Sequence, residues 1–225
     1  MENETAGRYE RQDGLIPRKA LEAANVAVIG VGAIGRQAAI MAGCMGFGKI
    51  TLFDPDRVDD VNLAPQGFCP DELGQTKTYA VGHSLRRQNP DLEVVEHPHR
   101  FSRALADGCW GEGQNIALVC VDSIRDRKFI HGLLEESKMT FLIDARMAAE
   151  ALRVISVPRG SEYYATTLFE PSEAFRGSCT AKSTVYCASI AAGIMLSQCR
   201  KIVCGFDPTL DLEYNLFAED FTLKG

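Results

Sequence analysis

A short apolar run, Val26 to Ile29, leads into glycines at 30, 32 and 35 and then into the small-residue stretch "AIGRQAAIMAGCMGFG". Few folds tolerate that order. An uninterrupted apolar run predicts a strand buried on both faces, as in a parallel sheet. Glycine in the turn permits a tight reversal, and the third glycine lets the next helix pack close to the strand. Gly46 and Gly48 then stop that helix. "KITLFDPD" follows as a second strand with carboxylates at its carboxyl end. The unit reads as β-α-β, and right-handed crossover packing makes it compact.

The same alternation continues. The segment 76–88 is helical and is stopped by "NPD"; "LEVVEH" is a third strand. "NIALVCVDS" is a buried strand ending in a carboxylate, followed by the helix "IRDRKFIHGLLEES", and "TFLIDARM" repeats the scheme. Such alternation predicts an α/β chain with a Rossmann-like, doubly wound, mostly parallel sheet. From "ALRVISVPRGSEYYATTLF" onward β-branched and aromatic residues alternate, and two strand-like runs there predict an antiparallel extension in the C-terminal half. "RVDDVNLAPQGFCPDELGQ" reads as irregular, "PRKALEAAN" as a short helix feeding the first strand, and "STVYCASIAAGIMLSQ" as a helix of small residues after the polar loop "EPSEAFRGSCTAK". With no repeat and no linker in view, residues 1–225 read as one domain with residues 1–14 as a polar N-terminal arm.

Charge and cysteine usage narrow the classes further. A formal net charge of −6 argues against a broad nucleic-acid or anionic-membrane footprint. No apolar run approaches the roughly 20 residues of a membrane span, and "MENETAGRYERQDG" lacks a signal peptide's apolar core. The expectation is a cytoplasmic protein. Eight cysteines occur without any C-x-x-C pair, so no structural zinc is expected. Cys44, Cys120 and Cys187 sit in apolar surroundings and read as buried free thiols.

The chemistry starts at Gly30, Gly32 and Gly35. A helix amino terminus after such a turn offers unpaired N–H groups and a positive dipole end to a phosphate. Asp54, 19 residues after Gly35, is positioned to accept hydrogen bonds from ribose hydroxyls. Hydride transfer needs a further polar group beside a nicotinamide, and none is evident. His97 and His99 read as solvent-facing in "EHPHR"; Tyr79 and His83 share a helix face, but Tyr-x-x-x-Lys is absent. A dehydrogenase is therefore the last-ranked reading.

"LFDPDRVDDVNLAPQ" followed by "LGQTK" resembles the nucleotide-binding signature of the ubiquitin-activating-enzyme superfamily, which includes the ThiF and MoeB adenylyltransferases. The resemblance begins at "RYERQ" (Arg8 to Gln12) and runs through "GVGAIG", Asp54, Asp56, Asn62, Lys77 and "CVDS" with Asp122, about half of the chain. "IDARM", "EALRVISV" and "SCTAKSTVY" look like the shorter bacterial ThiF-like proteins, often associated with ubiquitin-like conjugation. What the resemblance implies is ATP-dependent joining of a carrier protein's C-terminal carboxylate to the α-phosphate of ATP. The carrier would be a ubiquitin-like or sulfur-carrier protein, and the enzyme a homodimer. Lys77 would face the phosphates, and Arg11 would reach the partner subunit's site as an arginine finger. Asp122 would hold Mg²⁺, Asp54 would read the ribose, and Asn62 would orient phosphates or carboxylate. Plainer roles stand beside these: a solvated helix-start lysine for Lys77, a helix cap for Asp122, and surface charges for Arg8 and Arg11.

Two positions are less settled by the resemblance. The family often reads "NLQRQ", with an arginine on the triphosphate; here "NLAPQ" puts Pro65 in that place, with Arg57 and Arg36 as candidate replacements. This leaves open a catalytically weak nucleotide-binding subunit that completes another chain's site. Cys179, in a polar loop before a helix with Arg176 and Lys182 nearby, is the candidate thioester nucleophile, against an incidental loop cysteine. Cys69 is a weaker loop candidate, and Cys187 reads as inert. Arg146 at a strand end either steers the incoming carboxylate or makes a structural salt bridge. A peptide or a modified tRNA nucleoside is the alternative substrate, and the acidic charge disfavours tRNA.

Overall fold

A computed structural model describes residues 6–12, 14–168 and 183–224. In chain order the elements are α1 (Ala6–Tyr9), α2 (Arg18–Ala23), β1 (Asn25–Ile29), α3 (Ala33–Met45), β2 (Lys49–Phe53), α4 (Asp60–Gln66), α5 (Lys77–Gln88), β3 (Glu93–His97), α6 (Arg103–Ala106), β4 (Asn115–Val119), α7 (Ile124–Glu135), β5 (Phe141–Ala148), β6 (Ala151–Pro158), α8 (Glu162–Thr166), α9 (Val185–Val203), β7 (Asp211–Asn215) and β8 (Asp220–Lys224). The strands form one sheet in the order β3-β2-β1-β4-β5-β6-β7-β8. β1 to β5 pair in parallel, and β6, β7 and β8 add antiparallel strands at one edge.

The apolar strands explain the layers. Side chains alternate across a strand, so Val26 and Val28 face one core while Ala27 and Ile29 face the other. Both faces must be covered. Residues of α2, α3, α4, α5 and α9 cover the first, and residues of α6, α7 and α8 the second. Ala188, Ala191 and Ala192 let α9 pack closely along α3 within the first core. Register then aligns the carboxyl ends: Ile29 pairs with Phe53 and with Val119, Phe53 with His97, and Val119 with Asp144. The loops that leave β1, β2, β3 and β4 therefore start at one level, while β5 continues past Asp144 to Ala148. Between β1 and β4 the strand order reverses, which is where open α/β sheets bind ligands.

Four local expectations are corrected. "EYYAT" is the helical turn α8, not a strand, because its tyrosines serve separate acids: Tyr163 donates to Asp211 at 2.5 Å and buried Tyr164 to Asp144 at 3.2 Å. Those contacts override aromatic β-propensity, and the antiparallel edge is completed instead by β7 and β8. Asp60–Gln66 is a helix, with Pro65 one residue before its end and Gly67 in the left-handed conformation closing it. Cys44 is exposed on α3, with its thiol 3.4 Å from Gln88 Oε1. His97 ends β3 and stacks on Phe53 at 4.8 Å, while His99 is exposed. Among the described residues no helix is long and apolar enough to cross a membrane.

Candidate active site

The three glycines do different work. Gly30 has φ +92°, and a β-carbon there would meet the Cys120 carbonyl oxygen at 2.9 Å. A β-carbon on Gly35 would lie 1.8 Å from the Gly30 carbonyl oxygen, so strand and helix are in contact there. Gly32, the N-cap of α3, has neither constraint: φ is −82°, and the nearest atoms are those of the Gln66 amide, 3.8 Å or more away. Protein geometry requires the first and third glycines. The space at the second is what an approaching phosphate needs, and a methyl group would fill it.

Asp54 leaves the end of β2 and is 6% exposed. Its Oδ2 accepts the Val31 N–H at 2.7 Å and its Oδ1 the Asp56 N–H at 2.9 Å. Burial pushes its carboxyl above the ordinary range, against the lowering effect of those two N–H groups and of Lys77. The acid thereby fixes the glycine turn to the β2 exit, and each oxygen keeps a second lone pair for a ribose hydroxyl.

Lys77 opens α5 and is 5% exposed. Thr76 caps the helix, accepting the Tyr79 N–H at 3.3 Å, while Lys77 N–H donates to the Asp56 carbonyl at 3.0 Å. Its Nζ donates to Asp56 Oδ2 at 3.0 Å, and that carboxylate is 64% exposed. A buried cation at a helix amino terminus opposes the helix dipole, and an arriving anion relieves the conflict. Asn62 accepts the Asp59 N–H at 3.1 Å as half of a capping box on α4, which leaves its amide NH₂ to donate.

Asp122 stands on the loop after β4, exposed, with no hydrogen bond or ion pair among the described residues. The cap of α7 is Ser123, whose hydroxyl accepts the Asp126 N–H at 3.3 Å. Helix capping therefore does not account for Asp122. Cys120, two residues earlier, packs against Gly30 and Gly35, so this loop borders the cradle. No group of three or more His, Cys, Asp or Glu side chains among the described residues is arranged to hold a metal. Mg²⁺ requires less: one or two carboxylates, with phosphate oxygens and water completing the shell. Asp122 fits that donor set.

Arg11 is not brought to this cradle. Tyr9 is buried, its hydroxyl accepts from Asn89 Nδ2 at 3.1 Å, and its ring lies under Arg18 and 2.9 Å from where a Gly46 β-carbon would be. Arg8 donates to Asn89 Oδ1 at 2.8 Å. Gly46 caps the carboxyl end of α3, whereas Gly32 caps its start. The helix between them is about 20 Å long. Cys179, Arg176 and Lys182 lie outside the described residues. Cys187 is buried, and burial raises its thiol pKa. Burial also raises Cys120, whose sulfur lies 3.9 Å from Met195 Sδ. Cys69 is exposed, and Glu72 accepts its backbone N–H.

The model of the ThiF family matches residues 9–222. The chain belongs to the ThiF family. Among its relatives, ubiquitin-like modifier-activating enzyme 5 of Mus musculus is 35% identical over 128 residues, 52% of this chain and 32% of that protein. The Drosophila melanogaster protein of the same name is 33% identical over 127 residues, 52% of this chain and 31% of that protein. The chain thus spans about a third of the length of these relatives. Two solved structures share the fold: PaaA, with a TM-score of 0.80 and 20% identity over 100% of this chain and 74% of its own; and E. coli MccB with ATP, with a TM-score of 0.74 and 18% identity over 97% and 71%.

Within this ThiF-family chain, two features escaped sequence reading. Gln66 is the side chain nearest Gly32, a neighbour set by how α4 meets α3. Arg127 of α7 pairs with fully buried Asp144 and donates to the carbonyls of Val121 and Ala145, which anchors the Asp122 loop from below. Arg146 completes the cluster, donating to Asp144 at 2.7 Å and to the Thr167 carbonyl and hydroxyl at 2.8 and 2.9 Å. The salt-bridge expectation for Arg146 is the one realised. Next to it, an open groove of about 460 Å³ is lined by residues of β5, β6, β7 and β8, with Arg153, Glu213 and Asp220 in its walls.

Proposed function

We propose that this chain is an ATP-dependent adenylyltransferase that activates the C-terminal carboxylate of a ubiquitin-like or sulfur-carrier protein. The observation that carries this reading is the convergence, at the carboxyl ends of the parallel strands, of the open cradle at Gly32, buried Lys77 and Asp122, which has no partner among the described residues. In the reaction a carboxylate oxygen bonds to the α-phosphorus of ATP, and the bond from that phosphorus to the bridging oxygen breaks. Pyrophosphate leaves with the electron pair, and an acyl adenylate remains. Negative groups must be brought together, so the work is positioning and charge neutralisation. The amino terminus of α3 and the Lys77 ammonium face the phosphates, and the remaining lone pairs of Asp54 hold the ribose. Asn62 donates its NH₂ to phosphate or carboxylate. Mg²⁺, when held by Asp122 and phosphate oxygens, supplies further charge neutralisation. The groove beside Arg146 and Arg153 seats the carrier's extended tail.

Arg11 serves a second copy of the chain, since its own cradle is a helix length away. The working state in this proposal is a cytoplasmic homodimer. A thioester step would follow at Cys179: its thiolate attacks the acyl carbon and AMP departs. A thiol-sensitive carrier adduct, lost in Cys179→Ala, is expected; an adduct that survives the substitution rules that cysteine out.

Pro65 favours one second reading, a catalytically weak nucleotide-binding subunit that completes another chain's site through Arg11. Pyrophosphate–ATP exchange separates the two. Exchange should require a carrier with a free C-terminal glycine and vanish in Lys77→Ala. A response to a short peptide in place of a folded carrier would move the substrate class to peptides. Exchange with no dependence on any acyl donor contradicts the proposal, and no exchange at all favours the weak subunit.

A further inference from the structure

We infer that Arg36 supplies the guanidinium that meets the polyphosphate of the nucleotide, beside Gln66, at the place where Pro65 offers no charge. The inference rests on the nucleotide reading above. Arg36 lies in the first turn of α3, and helical side chains lean toward their own helix's amino terminus. Its guanidinium is therefore carried back toward the Gly32 turn. It passes beside Gly67, with Nη1 3.3 Å from where a β-carbon there would sit, and lies 5.1 Å from the centre of the buried Phe68 ring. No carboxylate pairs with it among the described residues, and its Nε is buried without a hydrogen-bond partner.

Gln66, the residue before Gly67, repeats the pattern. Its Oε1 is also buried and unpartnered, and its amide is the group nearest Gly32. Rotating that amide by half a turn presents NH₂ in place of oxygen. Two orphaned polar atoms thus lie on side chains that meet at the end of α4, and one of them belongs to the group nearest the open Gly32. Such groups are costly to bury unpaired, and a cation near a helix amino terminus adds repulsion from the dipole. A polyanion on Gly32 removes that repulsion and gives the guanidinium fork a matching acceptor. The competing replacement, Arg57, is committed elsewhere. It is exposed, and its Nη1 donates to the Gly74 carbonyl at 2.7 Å on the strip beyond Asp56.

Titration calorimetry with ATP and with adenosine tests the assignment on the intact chain. Arg36→Ala should weaken ATP binding about 10-fold or more while adenosine affinity stays within about twofold. Arg36→Lys should fall between, because an ammonium lacks the fork, and Arg57→Ala should bind both ligands as the unsubstituted chain does. Thermal unfolding checks that the variants are folded. Should Arg36→Ala unfold, Arg36→Gln keeps the stem on Phe68 and carries the same comparison. Unchanged ATP affinity in folded Arg36 variants overturns the assignment. So does an equal loss of ATP and adenosine, or an ATP-selective loss in Arg57→Ala instead. An unsubstituted chain that binds no ATP overturns the nucleotide reading, and this inference with it.

Discussion

Gly32 and Gly35 lie three residues apart and should respond to a methyl group in opposite ways. A β-carbon on Gly35 would sit inside the Gly30 carbonyl, so Gly35→Ala should cost about 2–4 kcal/mol in denaturant unfolding. On Gly32 it meets nothing closer than 3.8 Å, so Gly32→Ala should cost less than about 1 kcal/mol yet abolish ATP binding by calorimetry. Equal destabilisation of the two would remove the reason to call Gly32 a ligand position. Asp122 makes a similar contrast: exposed and without a partner among the described residues, it should tolerate Asn within about 0.5 kcal/mol, while exchange turnover drops about 10²-fold or more. At this scale the sequence was informative wherever roles are local. The glycine spacing, Asp54 and Lys77 could be placed from sequence because each sits on its own turn, strand end or helix start. Gln66 went unread and Arg36 stayed one of two candidates because their meaning depends on where α4 ends against α3, which no local pattern encodes.

Elements were legible where period and burial agree. The inner strands β1 and β4 are buried throughout, so their apolar runs could be read directly, and the helix expected over 76–88 runs Lys77–Gln88 with Thr76 as its cap. α4 was missed because Pro65 reads as a breaker; the Asp59–Asn62 capping box at its start and left-handed Gly67 at its end support a seven-residue helix around that proline. α8 was missed because two distant acids, not propensity, decide how its tyrosines point. Beneath the Asp122 loop, Arg127 and Asp144 are both buried. Arg127→Ala leaves that carboxylate with Arg146 and Tyr164 alone and should cost about 3–5 kcal/mol in chemical denaturation. Asp211 gives the C-terminal strands a pH dependence. Its burial alone would raise the carboxyl, but hydrogen bonds from Arg153 and Tyr163, with the charges of Arg153 and Lys224, hold it below the ordinary value. The sign follows: this stabilisation is complete above about pH 4 and is lost as pH falls through the lowered folded-state value. Asp211→Asn should therefore flatten the acid limb of the stability curve, and an unaltered limb would contradict the role.

For the whole molecule, the proposed homodimer makes a site shared between copies out of an arm docked at the far end of α3. Arg11→Ala and Lys77→Ala chains should each lack exchange activity. Mixed and allowed to re-pair, they form hybrids with one doubly damaged and one intact site, so about a quarter of normal activity should return. No recovery in a verified hybrid would mean that Arg11 acts within its own chain or not at all. The most direct measurement is product analysis after incubation of the chain with ATP, Mg²⁺ and a carrier ending in a free glycine. The expected result is pyrophosphate together with a carrier that has gained an adenylyl group on its C-terminal carboxylate, with neither formed when that carboxylate is blocked as an amide. ADP and phosphate as products, or adenylylation that persists on the amide-blocked carrier, would contradict it.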